Sequence, residues 1–256
     1  MHASSGASIA PLPALREAIA RFAVVSARCE AVSLRPETSL RRRRWSRVTN
    51  RYVYGIVESG ANLEFETDAV GGADRVYTVP HRRYEAVVSD IDTTEPEETD
   101  EDARRHDEVL REIMARTNGH PIVPMRFGMA FESNRALKNV IRGARPAFRR
   151  AIRDIEGRIE LGLKLVTEAD ADVDREAIEE IVADALEPLA VKSVENDDFS
   201  DRLVLNRSYL VEESAREQFD EAVAELEDSP DLEDVIVQYT GPFAPYSFVD
   251  VTIGAR

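Results

Sequence analysis

The chain has 256 residues, 43% of them apolar, enough for one large or two small domains with a substantial core. Its formal charge is −16, and because residues 1–50 carry nine Arg against three Glu, residues 51–256 hold −22. That sign argues against nucleic acid and anionic membranes as main partners, the single Cys29 excludes an internal disulfide or thiolate metal cage, and no run approaches the roughly 18 apolar residues of a membrane span.

Lysine occurs only at Lys138, Lys164 and Lys192. An acid-rich, lysine-poor surface suits molar salt, where screening removes much of the self-repulsion, so the composition predicts a halophile's cytoplasmic protein. The basic N-terminus breaks with this pattern. It resembles a transit peptide in composition, yet Arg21 interrupts the apolar run of a signal core. Arg41–Arg44 could serve as a nucleic-acid patch, but an extension ahead of the functional chain fits the break better. Residues 1–47 are expected to be disordered or weakly helical, with periodic structure starting near Val48.

Tyr52-Val53-Tyr54-Gly55-Ile56-Val57 reads as a first strand, Arg75–Val79 as a second and Tyr84–Ile91 as a third. The last two are spaced as a hairpin around Pro80-His81-Arg82-Arg83. Residues 90–102 then hold eight acids, but without the central Gly and terminal Glu of a calcium loop. They read as a solvated loop feeding the N-terminus of a helix over about 101–116, where negative charge is favourable. Ala103, Val109, Leu110, Ile113 and Met114 form its inward set, and Asn118-Gly119 ends it.

Pro121–Phe131 is expected as one strand. Strict alternation sends Val123, Met125, Phe127, Met129 and Phe131 to one face, and Ile122, Pro124, Arg126, Gly128 and Ala130 to the other. Arg126 stands out as a buried cation in need of a carboxylate or carbonyl partner.

Ser133 or Asn134 can cap the next helical stretch, whose apolar set runs Leu137, Val140, Ile141, Ala144, Phe148, Ile152 and Ile155. Gly143 and Pro146 predict a kink or two abutting helices. The opposite face carries Arg135, Lys138, Arg142, Arg145, Arg149 and Arg153 at steps of three or four. Two readings stand open for this stripe. It is a solvated face paired with the molecule's own carboxylates, or a docking face for an acidic partner.

From Gly157 the order is strand 158–166, helix 174–189, strands 191–195 and 203–211, helix 214–227 and strand 234–239. That β-α-β-β-α-β series predicts a ferredoxin-like plait, its sheet covered on one face by two helices. The fold class is therefore α+β, with a mixed α/β domain over 48–156 and the ferredoxin-like domain over 157–256. The tail beyond Tyr239 holds Phe243, Tyr246 and Phe248 among Pro242 and Pro245. It should form a bent edge or a ring-pinned loop, either anchoring the C-terminus or presenting a docking surface.

Little enzymatic chemistry emerges. His2, His81, His106 and His120 make no His-x-x-x-His or His-x-His pair, and a zinc site from His81, His106, His120 and a carboxylate would need tertiary convergence. No phosphate loop, dinucleotide fingerprint or nucleophile elbow is present.

Seven short motifs, taken in order, resemble the gas vesicle protein F/L family. They are Tyr52–Val57, Tyr84–Ser89, His106 with Val109-Leu110, Val123–Gly128, Gly157–Leu161, Asn206–Val211 and Gly241–Phe248. The last differs from the family's frequent Gly-Pro-Trp-Pro-Pro-Tyr in having Phe243 and Ala244. The resemblance implies a non-enzymatic assembly factor, without a cofactor, that contacts the small hydrophobic shell protein, gas vesicle protein A, and other gas vesicle accessory proteins. Length from residue 48 favours an F-type member. Candidate partner-binding residues are the six of the basic stripe, Arg126, and the tail rings Phe243, Tyr246 and Phe248. An RNA-binding module of the same plait and a metal-dependent enzyme are the alternatives.

Overall fold

The computed structural model describes residues 49–117, 120–168, 173–197 and 200–251. The expected character of residues 1–47 and the Asn118-Gly119 helix stop lie outside these.

Two antiparallel sheets organise the chain. The first comprises β1 (Asn50–Glu58), β2 (Glu64–Glu66), β3 (Arg75–His81), β4 (Tyr84–Ile91), β5 (Val123–Pro124) and β6 (Ala130–Phe131), in the order β2-β3-β4-β1-β5, with β6 also on β1. Its central strand β1 is buried on both faces, which explains its near-continuous apolar run. Tyr52 and Tyr54 face one cluster and Val53 the other. A register shift against β4 between Val53 and Gly55 then reverses the parity, so Ile56 joins Val53 and Val57 joins the tyrosines.

Helix α1 (Asp100–Arg116) covers the tyrosine face through Val109, Leu110 and Ile113. The Thr99 hydroxyl accepts from the Asp102 N–H at 3.1 Å, and Asp100, Glu101 and Asp102 occupy the first turn. Much of the acidic run thus serves as a helix start. The other face is covered by α2 (Asn134–Gly143) and α3 (Arg145–Ile155), two abutting helices with Pro146 in the first turn of the second. Leu137, Ile141, Phe148, Ile152 and Ile155 pack there against Ile56, Tyr84, Ala86 and Val88.

The Pro121–Phe131 segment departs from the single strand expected. It makes two short pairings with β1, joined by a turn in which Gly128 takes φ 85°. Breaking the strand breaks the alternation. Val123 and Met125 stay on the α2–α3 side with Met129 and Phe131, but Phe127 crosses to the α1 side. Arg126 is exposed at the turn, so the buried cation inferred from alternation is corrected. The three-residue β2 went unread, being too short to show a period.

The second sheet comprises β7 (Arg158–Thr167), β8 (Lys192–Glu195), β9 (Leu203–Glu212) and β10 (Val235–Phe243), in the order β10-β7-β9-β8. Helices α4 (Arg175–Leu186) and α5 (Arg216–Glu227) cover one face, burying Ile178, Val182, Phe219 and Val223 against Leu161, Leu163, Leu165 and Tyr209. Strand β10 runs past Pro242, with a register shift between Thr240 and Phe243. An edge strand tolerates a residue that lacks an N–H.

Candidate functional site

The fold sets apart two features, a buried seam that fixes the C-terminal tail and an exposed basic face.

The seam centres on His106, on the inner side of α1. Its Nδ1 lies 2.7 Å from the Tyr52 hydroxyl and its Nε2 2.9 Å from the Tyr246 hydroxyl. The Gly128 N–H donates to the Tyr52 oxygen at 3.2 Å, tying in the β5–β6 turn. Tyr52, Tyr54 and Phe127 surround the imidazole with ring centroids 5.6, 5.3 and 5.8 Å away. Burial pushes its pKa down to about 3, partly offset by the Met125 carbonyl. Burial likewise raises the Tyr52 and Tyr246 phenols. A neutral ring with both nitrogens engaged is a bridge between β1 and the tail.

The second half of the seam is Glu160 on β7. It accepts from the Ser247 N–H at 2.9 Å and from the Ser247 hydroxyl at 2.6 Å, and Ser247 Oγ lies 3.3 Å from Ser208 Oγ. Burial raises the Glu160 pKa, and the Ser247 bonds counter it. Ala244 is 2% exposed within the α1-side core, while Val249 and Val251 reach the α2–α3 side. The rings Phe243, Tyr246 and Phe248 are half-buried, with the Arg111 guanidinium 5.6 Å from the Phe243 centroid and Lys192 Nζ 5.9 Å from that of Phe248. Tyr246 therefore anchors the tail. Tyr52, Glu160 and Ser247 sit within motifs quoted from the sequence, but no local pattern assigned them a joint role.

The basic face is built by α2 and α3 together. Arg135, Arg142, Arg145, Arg149 and Arg153 are exposed and Lys138 is half-buried. Their side faces away from Leu137, Ile141, Phe148 and Ile152 because three- and four-residue steps keep one helical stripe outward. Arg153 pairs with the adjacent Asp154 at 3.2 Å, and Arg142 donates to Asn139 Oδ1 at 3.0 Å. Among the described residues, Arg135, Lys138, Arg142, Arg145 and Arg149 form no ion pair. Arg126 is not on this stripe; it lies at the β5–β6 turn.

The three histidines considered for zinc do not converge. His106 is locked in the seam, His81 ends β3 and His120 is exposed beyond α1. Among the described residues no three His, Cys, Asp or Glu side chains gather as a metal site, and no helix is long and apolar enough to cross a membrane. On the side of β9 away from α4 and α5, Asn206, Ser208 and Leu210 are buried and none is aromatic, unlike the exposed ring pair on which RNA bases stack.

The model of the family described as gas vesicle synthesis protein GvpL/GvpF matches residues 50–180 and 166–250. The chain belongs to the gas vesicle protein F/L family. It is 50% identical over 206 residues to gas vesicle protein F of Haloferax mediterranei, covering 80% of this chain and 96% of that one. To gas vesicle protein F1 of Halobacterium salinarum it is 49% identical over 207 residues, covering 81% and 96%. These haloarchaeal relatives make it an F-type member, in keeping with its acid-rich, lysine-poor composition. The crystal structure of GvpF from Anabaena sp. PCC7120 superposes with a TM-score of 0.69 at 16% identity, covering 80% of this chain and 99% of that one. GvpF from Microcystis aeruginosa gives 0.68 at 15%, covering 80% and 100%. The α+β fold is thus shared with these solved family members.

Proposed function

We propose that this F-type protein serves gas vesicle assembly by binding the small hydrophobic shell protein, delivering it or nucleating its growth. A shell subunit with an exposed apolar face aggregates unless something covers it, and a soluble, strongly charged partner can supply that cover. One observation carries the reading. Within a body of net charge −22 over residues 51–256, five cations of α2 and α3 share a face and form no ion pair among the described residues. A structural role would have drawn some of the abundant carboxylates onto that face. Leaving it uncompensated suits a docking surface for an acidic region of an assembly partner, where complementarity sets encounter rate and orientation. We also read the second sheet, with its β10-β7-β9-β8 order and paired helices, as a ferredoxin-like domain that carries the tail back to the first. Co-purification of the tagged protein with the shell protein from co-expressing cells tests the reading. Retention of the shell protein supports it, and its absence under conditions that keep both proteins soluble counts against it.

A further inference from the structure

The β3–β4 hairpin closes at Arg82, which takes φ 60°. Its flanking residues pack onto the helices of the basic face. Val79 and Tyr84 share a core with Leu137, Ile141 and Phe148, and the Tyr84 and Phe148 rings lie 5.9 Å apart. This brings the hairpin tip beside the stripe. At the junction the His81 Nε2 is buried and has no hydrogen-bond partner among the described residues. Burial lowers the pKa of this imidazole, and Arg82, Lys138, Arg142 and Arg145 lower it further. Cations from the hairpin and from both helices therefore bear on one ring.

An unpartnered buried nitrogen is costly, and so is a group of cations with no counter-charge. An arriving anion relieves the cations directly, and a turn of the half-buried His81 ring brings its sealed nitrogen to the same anion. The imidazole N–H offers a single directed donor, and guanidinium groups offer paired donors that match a planar carboxylate. The stripe continues well past this point. At a rise of about 1.5 Å per residue, α2 and α3 together span roughly 30 Å, far more than one small ion occupies.

We infer that the junction of the hairpin with α2 and α3 is a carboxylate-binding site, seating one acidic side chain of an extended, carboxylate-rich segment of a partner protein among His81, Lys138, Arg142 and Arg145. The inference rests on the stripe being a docking face and names what it docks. His81 fixes the register of the segment, and Arg149 and Arg135 lie along its path in opposite directions.

Hexaglutamate is the probe, titrated into the full chain in about 0.5 M KCl, where contact pairs survive but long-range attraction is damped. Binding is read by calorimetry and by the His81 ring resonances. The site predicts a saturable shift of the His81 signals, no shift with hexaglutamine, and affinity reduced at least tenfold in both His81→Ala and the double variant Arg142→Glu/Arg145→Glu. Melting temperatures of the two variants report whether each is folded, and because one alters the hairpin and the other the helices, either suffices. Unchanged hexaglutamate affinity in a folded variant would overturn the site, as would inorganic phosphate binding as tightly as the peptide. Loss of hexaglutamate binding with shell-protein capture intact would uphold the site and assign it to a different partner, separating its fate from that of the proposed function.

Discussion

The His106 imidazole meets the Tyr246 hydroxyl at 2.9 Å across 140 residues of sequence, and through Tyr52 it ties the C-terminal tail to the central strand of the first sheet. Tyr246→Phe removes only the hydroxyl and leaves the ring packed. It strands a buried imidazole nitrogen and should cost about 1–3 kcal/mol by urea unfolding. Ser247→Ala should add a comparable loss, because Glu160 then keeps only the Ser247 backbone donor and the nearby Ser208. Wild-type stability in both variants would show that the tail is held by its apolar contacts alone.

The same imidazole gives a pH signature. Its folded pKa of about 3 lies below the usual 6.5, so the unfolded chain takes up a proton that native His106 refuses. Its contribution is complete above about 6.5 and is lost as pH falls towards 3, at up to about 1.4 kcal/mol per pH unit. Glu160 works in the opposite sense: its raised pKa gives stability at low pH that declines as pH rises above its ordinary 4.5. Comparing wild type with His106→Gln between about pH 4 and 7 isolates the histidine. The variant should lose less stability on acidification, and parallel profiles would refute the assignment.

Much of this architecture was legible because the relevant periods are local. Strand β7 alternates cleanly, sending Ile159, Leu161, Leu163 and Leu165 to one covered face, and α2 and α3 keep a single apolar stripe on either side of Gly143. The segment from Pro121 to Phe131 was misread because alternation assumes an unbroken strand. The left-handed turn at Gly128 moves Phe127 to the other core and leaves Arg126 in solvent. The seam was not legible as a unit. Tyr52, His106, Glu160 and Tyr246 belong to four separate motifs, and only the tertiary fold makes them neighbours. His81 carried no sequence signal beyond its residue type, since an unpartnered nitrogen is a property of packing.

Stability should also rise with salt. Helix α4 exposes Glu176, Glu179, Glu180 and Asp184, and none is ion-paired among the described residues. Such faces repel one another at low ionic strength, and screening relieves them. Melting temperature should climb steadily from about 0.1 M KCl to several molar. A flat or falling series would mean that the −22 over residues 51–256 is already balanced within the fold.

The most direct measurement reverses Arg142, Arg145 and Arg149 to Glu in one protein and follows both melting and capture of the small shell protein. These side chains are exposed and have no carboxylate partner among the described residues, so stability should stay within about 0.5 kcal/mol of wild type per site. Capture should fall by roughly an order of magnitude, first in the association rate, with the deficit reduced but not abolished in molar salt. A lowered melting temperature with capture unchanged would contradict the docking role of the basic face and move the dock elsewhere, first to Phe243–Phe248.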